Sequence, residues 1–129
     1  SKFEQLTLLT CYMPQESFKI GIEEMQQTAI LKVDGRFVDF QAKEIVNIVD
    51  DLLGKDFINF ILNLHSCTDL NNYGISILIS LIGSIKQNGG TLFFTHLSNN
   101  QEKKLKMMGL AAYTEFFSDD NSAMDKINN

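Results

Sequence analysis

Proline occurs once in this 129-residue chain, as Pro14, and cysteine twice, as Cys11 and Cys67. Two cysteines without metal or redox spacing do not make a disulfide framework, and reduced thiols in a cytoplasmic protein are the plainer expectation. Basic residues are outnumbered, eleven against sixteen acidic, and the net charge of −5 opposes attraction to phosphate backbones. Nucleic acid is therefore not an expected partner. Long apolar runs are missing too: the longest, Ile75 to Ile85, is about half the ~20 residues that cross a bilayer, and serines and a glycine interrupt it. No membrane insertion is expected. The opening residues, Ser1-Lys2-Phe3-Glu4, lack the basic and then apolar run of a secretion signal.

Signatures of catalysis are equally scarce. Gly74-Ile75-Ser76-Ile77-Leu78 lacks the second glycine of a nucleophile elbow, and no glycine-rich lysine loop for phosphates occurs. The two histidines, His65 and His96, each follow or end a β-prone run, so both are expected at the carboxyl rim of a parallel sheet, where α/β folds bind ligands. With Cys67 and Asp69 nearby a metal site is conceivable. No two of these ligands share a helix at i and i+4, however, and solvated loop histidines are the simpler reading. The expectation is a protein without enzymatic activity, cofactor or metal. The charged stretch Glu102-Lys103-Lys104 with Lys106 reads as a solvated helix face.

The chain is 44% hydrophobic, enough for one domain with a continuous core and no room for a second. Residues 1–17 hold the proline and mix Leu6, Leu8, Leu9, Tyr12 and Met13 with polar residues at no clear period, which reads as an extension. Residues 18–129 then form the domain. Phe18, Ile20 and Ile22 alternate as a strand, Met25-Gln26-Gln27 turns, and Ala29 to Val33 returns as a second strand that Asp34-Gly35 ends. Ile45, Ile48, Val49 and Leu52 follow helical spacing between Gln41 and Leu53, with Asp50 and Asp51 pointing away and Gly54 as the stop. Phe57 to Leu64 reads as a central strand in parallel pairing.

The next helix, Ile75 to Ile85, ends at Asn88-Gly89-Gly90. Thr91 to His96 is another strand, and Ser98 or Asn99 caps a helix from about Gln101 that Gly109 closes, with Leu105 and Met108 on one face. Phe116-Phe117 makes a short strand and Asn121 to Ile127 a last helical turn or two. The order ββαβαβαβα implies right-handed crossovers and an α/β fold: a mainly parallel sheet, an antiparallel first strand at its edge, and helices largely on one face.

Leu62-Asn63-Leu64, Thr68, Gly74 at a helix start, Gly89-Gly90 before a strand, Leu97-Ser98 before a helix and Met108-Gly109-Leu110 at its close, taken in series, resemble the STAS domain, the fold of bacterial anti-sigma factor antagonists. The resemblance runs from about Phe18 to Ile127. It implies transcription regulation or signalling through protein contact: in that family a serine or threonine before the glycine of an Asp-Ser-Ser-Gly loop is phosphorylated by a partner that is both kinase and anti-sigma factor. Matched on Gly74, Asn71 takes the aspartate position, Asn72 that of the first serine, and Tyr73 that of the phosphorylated residue. The phosphoserine switch is therefore replaced by a phenol. The family also often carries an aspartate three residues after the glycine that follows the second strand, where this chain has Val38, with Asp39 one step later.

A helix N-terminus exposes unpaired N–H groups and partial positive charge, so an anion at Gly74 would be favourably held. Tyr73 instead supplies a large amphipathic contact, while Asn71 or Asn72 equally well serves as a plain cap with Tyr73 covering the core edge. On a helical wheel Ile75, Leu78, Ile79, Ile82 and Ile85 share one face and Ser76, Ser80, Gly83, Ser84 and Gln87 the other, with Ile77 and Leu81 partly exposed between them. That shallow surface fits another helix or subunit, unless residues 1–17 cover it. The partner-binding set is accordingly Asp69, Asn71, Asn72, Tyr73, Gly74, Ser76, Ile77, Ser80 and Leu81, in the loop 69–76 and the second helix. The expected partner is an anti-sigma factor or related serine kinase, with a homodimer as a further option. The alternatives are a scaffold or accessory subunit of a signalling or transporter complex, and a small-ligand sensor at the rim near His65 and His96.

Overall fold

A computed structural model of the protein describes residues 18–129. Residues 1–17, read from sequence as an extension, lie outside the described residues. The order of elements is β1 (Lys19–Met25), β2 (Thr28–Phe37), α1 (Asp39–Gly54), β3 (Asn59–Asn63), β4 (Cys67–Leu70), α2 (Asn72–Gln87), β5 (Thr91–Thr95), α3 (Asn99–Met107), β6 (Glu115–Phe117) and α4 (Asp120–Asn128), with a 3-10 turn at Leu110–Ala112. The sheet runs β1-β2-β3-β5-β6, with β4 paired to the end of β2. Among the described residues only the β1–β2 pair is antiparallel; β2–β3, β3–β5, β5–β6 and β2–β4 are parallel.

Two expectations change here. Asp34-Gly35 does not end β2, which runs on to Phe37. Its register shifts between Gly35 and Arg36, where Gly35 takes a φ of 111° that side-chain-bearing residues rarely adopt. β2 pairs with β3 as far as Lys32 and with β4 from Gly35, which lies opposite Cys67; across the shift Arg36 lies opposite Asp69 and Phe37 opposite Leu70. The second change is β4 itself, a strand absent from the expected order. Four residues, two of them polar, carry too little periodicity to announce a strand.

Alternation along the strands divides the core into two layers. Ala29, Leu31, Val33, Phe60, Leu62, Leu92 and Phe94 face α1, α2 and α3 in the larger one. Ile30, Ile61 and Phe93 face the other way and pack on Ala123 of α4 with Phe117, Met124 and Ile127 around it. The helices thus lie largely on one face, and the last covers the other.

Turn chemistry places the ends. Ser98 caps α3 in a full capping box with Gln101, and Gly89 and Gly109 follow their helices with φ of 79° and 87°. Gly54, expected as the stop of α1, is instead its last helical residue, with Lys55 as the cap. Met108, expected to share a helix face with Leu105, is exposed while Leu105 is buried, because α3 has already ended at Met107.

One polar network ties α4 to the sheet. Asn63 and Thr95 are buried at the carboxyl ends of β3 and β5, and both donate to the Asp120 carboxylate, at 3.0 Å and 2.6 Å. The Asn63 side-chain oxygen accepts the His65 N–H at 2.9 Å. Removing the shared acceptor strands two buried donors. Asp120→Ala is expected to lower unfolding stability by about 2–3 kcal/mol in urea titration, against less than about 0.5 kcal/mol for the exposed Asp125→Ala.

Candidate interaction site at the start of helix α2

The segment expected as a loop from 69 to 76 is built of three parts. Asp69 and Leu70 belong to β4, Asn71 is the N-cap, and α2 begins at Asn72. Asn71 has extended backbone, and its side-chain oxygen accepts the Gly74 N–H at 2.8 Å while its carbonyl accepts from Ile75 at 3.0 Å. The capping role foreseen for Asn71 or Asn72 thus falls to Asn71. It also occupies the N–H at Gly74 that was expected to be open to an anion.

Gly74 is buried, so its expected role as a contact residue gives way to a structural one. A Cβ there would lie 2.4 Å from the Phe37 carbonyl oxygen, closer than any side chain is accepted. The first turn of α2 therefore rests directly on the end of β2. This approach fixes the direction of the residues around it. Tyr73 is 41% exposed, and Ser76 donates to the Tyr73 carbonyl at 2.6 Å.

Across from Tyr73 stands a residue that the sequence reading passed over. Phe40, in the first turn of α1, is 86% exposed and borders a depression with Tyr73 and Asp39. Asp39 has φ of 53°, an uncommon conformation for a residue with a side chain, and its carboxylate accepts a long hydrogen bond, 3.5 Å, from the Asn71 amide. Val38, by contrast, is buried. The aspartate displaced by one position from the family pattern thus still reaches the helix cap. The legible signal for Phe40 was an aromatic ring out of step with the Ile45, Ile48, Val49 and Leu52 stripe of its helix.

The wheel assignment on α2 needs one exchange. Leu81 is buried at 3% exposure and cannot serve as a surface contact, whereas Ile79, expected in the core, is 44% exposed. A helix with aliphatic residues on nearly all sides has no phase that hydrophobicity alone can choose. Ile77 is half-buried and packs against the larger core layer, while Asn72, Ser76 and Ser80 are exposed as expected. Asp69 is held in an exposed ion pair with Arg36 at 3.2 Å, so its carboxylate is partly engaged.

A second concavity, a cleft of about 780 Å³, lies at the carboxyl rim between β4 and α3. His65, His96, Thr68, Asp69, Lys103 and Met107 are among its walls. The rim histidines meet there, with ring centroids 5.8 Å apart in an edge-to-face arrangement. Gln101 and Lys104 of α3 are committed to holding β4 in place, donating to the Cys67 carbonyl at 3.1 Å and the Leu70 carbonyl at 2.8 Å. Among the described residues no three His, Cys, Asp or Glu side chains are placed to hold a metal ion. Cys67 is buried, its thiol donates to the Asp69 carbonyl at 3.3 Å, and burial pushes its pKa up, away from the thiolate a nucleophile or metal ligand needs.

A family model of the STAS domain matches residues 19–123, and the chain belongs to that family. A candidate anti-sigma factor antagonist from Thermotoga maritima superposes with a TM-score of 0.77 at 16% identity, covering 85% of this chain and 95% of that one. The anti-sigma factor antagonist SpoIIAA in its unphosphorylated form gives 0.75 at 12% identity, over 85% of this chain and 96% of its own. The murine anion transporter Slc26a9 matches at 0.67 and 15% identity, with 83% of this chain covering 19% of the transporter. At these identities the likeness is one of fold. No helix among the described residues is long and apolar enough to cross a membrane.

Two outcomes test the local geometry. Gly74→Ala is expected to cost about 2–3 kcal/mol by forcing α2 off the end of β2, read as a lower urea midpoint. The Cys67 thiol has a raised folded pKa, so the stability tied to its neutral form is complete below the unfolded value of 9.0 and is lost as pH rises through the folded value. Above pH 9.0 the wild type should therefore lose stability with pH more steeply than Cys67→Ala, measured as the slope and not the level of the urea midpoint.

Proposed function

We propose that the chain is a non-catalytic, cytoplasmic protein-interaction module that engages an anti-sigma factor or related serine kinase through the lip at the start of α2, and so regulates transcription. The observation that carries this is that two exposed aromatic residues, Tyr73 at the start of α2 and Phe40 at the start of α1, border one depression with Asp39. Aromatic residues dominate the energetics of interfaces, because they bury large area with few rotatable bonds, and two rings exposed together have no folding purpose that the core requires. Asn72, Ser76 and Ser80 continue the surface as small polar groups along α2, and Asp69 adds a charge at its edge. Residues 18–129 are the interacting domain in this reading and 1–17 an extension to it.

Tyr73 at the position of the family's phosphorylated residue replaces a switchable hydroxyl by a permanent contact. A phosphoryl group on a serine at that lip would repel a matched partner through charge and desolvation. A phenol holds the module in its binding state. A serine kinase shaped for an aliphatic hydroxyl would leave it unmodified, so control would come from partner supply.

A second reading is favoured by the cleft at the rim, where His65, His96 and Lys103 surround a space large enough for a small ligand. In that reading the domain is a sensor, or an accessory subunit of a signalling or transporter assembly, with ligand binding read out at the lip. Partner capture from native lysate, followed by titration of the captured protein, separates the two. Tyr73→Ala and Phe40→Ala should each weaken binding of a kinase or anti-sigma factor by at least about tenfold, while His65→Ala leaves it within about threefold. Loss of binding with His65→Ala alone would favour the sensor. Tyr73→Ser should regain phosphorylation by a captured kinase, and its failure to do so would point to a partner without kinase activity.

A further inference from the structure

The outer edge of β1 is unpaired among the described residues, and it runs for seven residues, Lys19–Met25. Long edges of this kind template pairing with another chain unless something blunts them. Gly21 sits in the middle of this one. Its φ lies outside the left-handed region, and a Cβ would meet nothing nearer than the Lys32 Cβ at 3.9 Å, so neither backbone conformation nor internal packing calls for glycine. Glycine weakens a strand, and in a strand interior it often marks the close approach of another backbone.

We propose that β1 pairs antiparallel with β1 of a second copy of this chain, about a two-fold axis through Gly21. The register follows from two constraints. The hairpin closes through the two-residue turn Gln26-Gln27, so the flanking pair Met25 and Thr28 is hydrogen-bonded. By alternation the free N–H and C=O groups of Ile20, Ile22 and Glu24 point outward, and only even-numbered residues pair by hydrogen bonds across the new edge. Centred on Gly21, Ile20 meets Ile22 of the second copy, twice. Lys19 meets Glu23 of the second copy, also twice. Gly21 then meets itself in the wide-spaced, non-hydrogen-bonded pair, where Cα atoms come closest, at about 4.5 Å, and side chains crowd most.

Of the two adjacent choices, the one centred on Ile22 opposes Ile20 to Glu24 and Gly21 to Glu23 and leaves Lys19 facing Met25, with neither charge nor apolar complementarity. The one centred on Ile20 opposes Lys19 to Gly21 and loses both Lys19–Glu23 pairs. In the proposed register the Glu23 carboxylate, already bound to Lys32 at 2.7 Å, lies between two ammonium groups. The two sheets become one, and the dimer is isologous and closed, with both strand edges satisfied.

Sedimentation velocity of the full chain across roughly two decades of concentration tests it. The expected result is a reversible dimer for the wild type. Gly21→Val, whose side chain has room within one copy, should weaken self-association by at least about tenfold while leaving the urea midpoint equal or higher. Lys19→Glu should weaken it too, and the exchange Lys19→Glu with Glu23→Lys should recover dimerisation. A wild type that stays monomeric, as it would if residues 1–17 occupied the edge, overturns the proposal. So does a Gly21→Val protein that dimerises as tightly as the wild type or unfolds more easily, or a charge exchange that recovers nothing.

Discussion

The contact on which the rest depends is the approach of Gly74 to the carbonyl of Phe37. No side chain fits between them, so α2 begins in direct contact with the end of β2. That position requires β2 to extend past its pairing with β3, which the bulge at Gly35 allows, and to acquire β4 as a new neighbour. It also requires the α2 cap to be local, and Asn71 supplies it. With those conditions met, Tyr73 stands exposed in the first turn of α2. Phe40, in the first turn of α1, borders the same depression.

The site therefore consists of placement more than chemistry. Nothing at the lip has the geometry of proton transfer or nucleophilic attack, and the buried thiol of Cys67 is held in its unreactive neutral form. What the fold provides is a rigid platform: two layers of core, an α4 anchored through Asp120, and a β4 held from α3 by Gln101 and Lys104. Rigid display of aromatic groups lowers the ordering cost of binding, which is where an interface of modest size gains its strength.

Much of this was legible in the sequence, for identifiable reasons. Strands that alternate or run apolar, such as Ala29 to Val33 and Phe57 to Leu64, and helices punctuated by glycine, announced themselves through spacing. Ser98 with Gln101 is a capping signature that reads locally. What stayed hidden depends on neighbours remote in the chain. The pairing that makes Cys67–Leu70 a strand is supplied by β2, not by its own residues. Ile79 and Leu81 exchanged roles because the phase of α2 is set by what it packs against. Gly74 was legible as a helix-start residue, but the steric reason for it lies thirty-seven positions earlier, at Phe37. Phe40 was visible as a residue and invisible as a partner of Tyr73.

The central claim, that Tyr73 and Phe40 together form the surface another protein grips, is tested most directly by hydrogen-exchange footprinting of the full chain with and without its captured partner. The account predicts protection concentrated in 38–42 and 71–80, with the rim around His65 and His96 unchanged. Protection confined to that rim, or to surfaces that include neither aromatic ring, would contradict it.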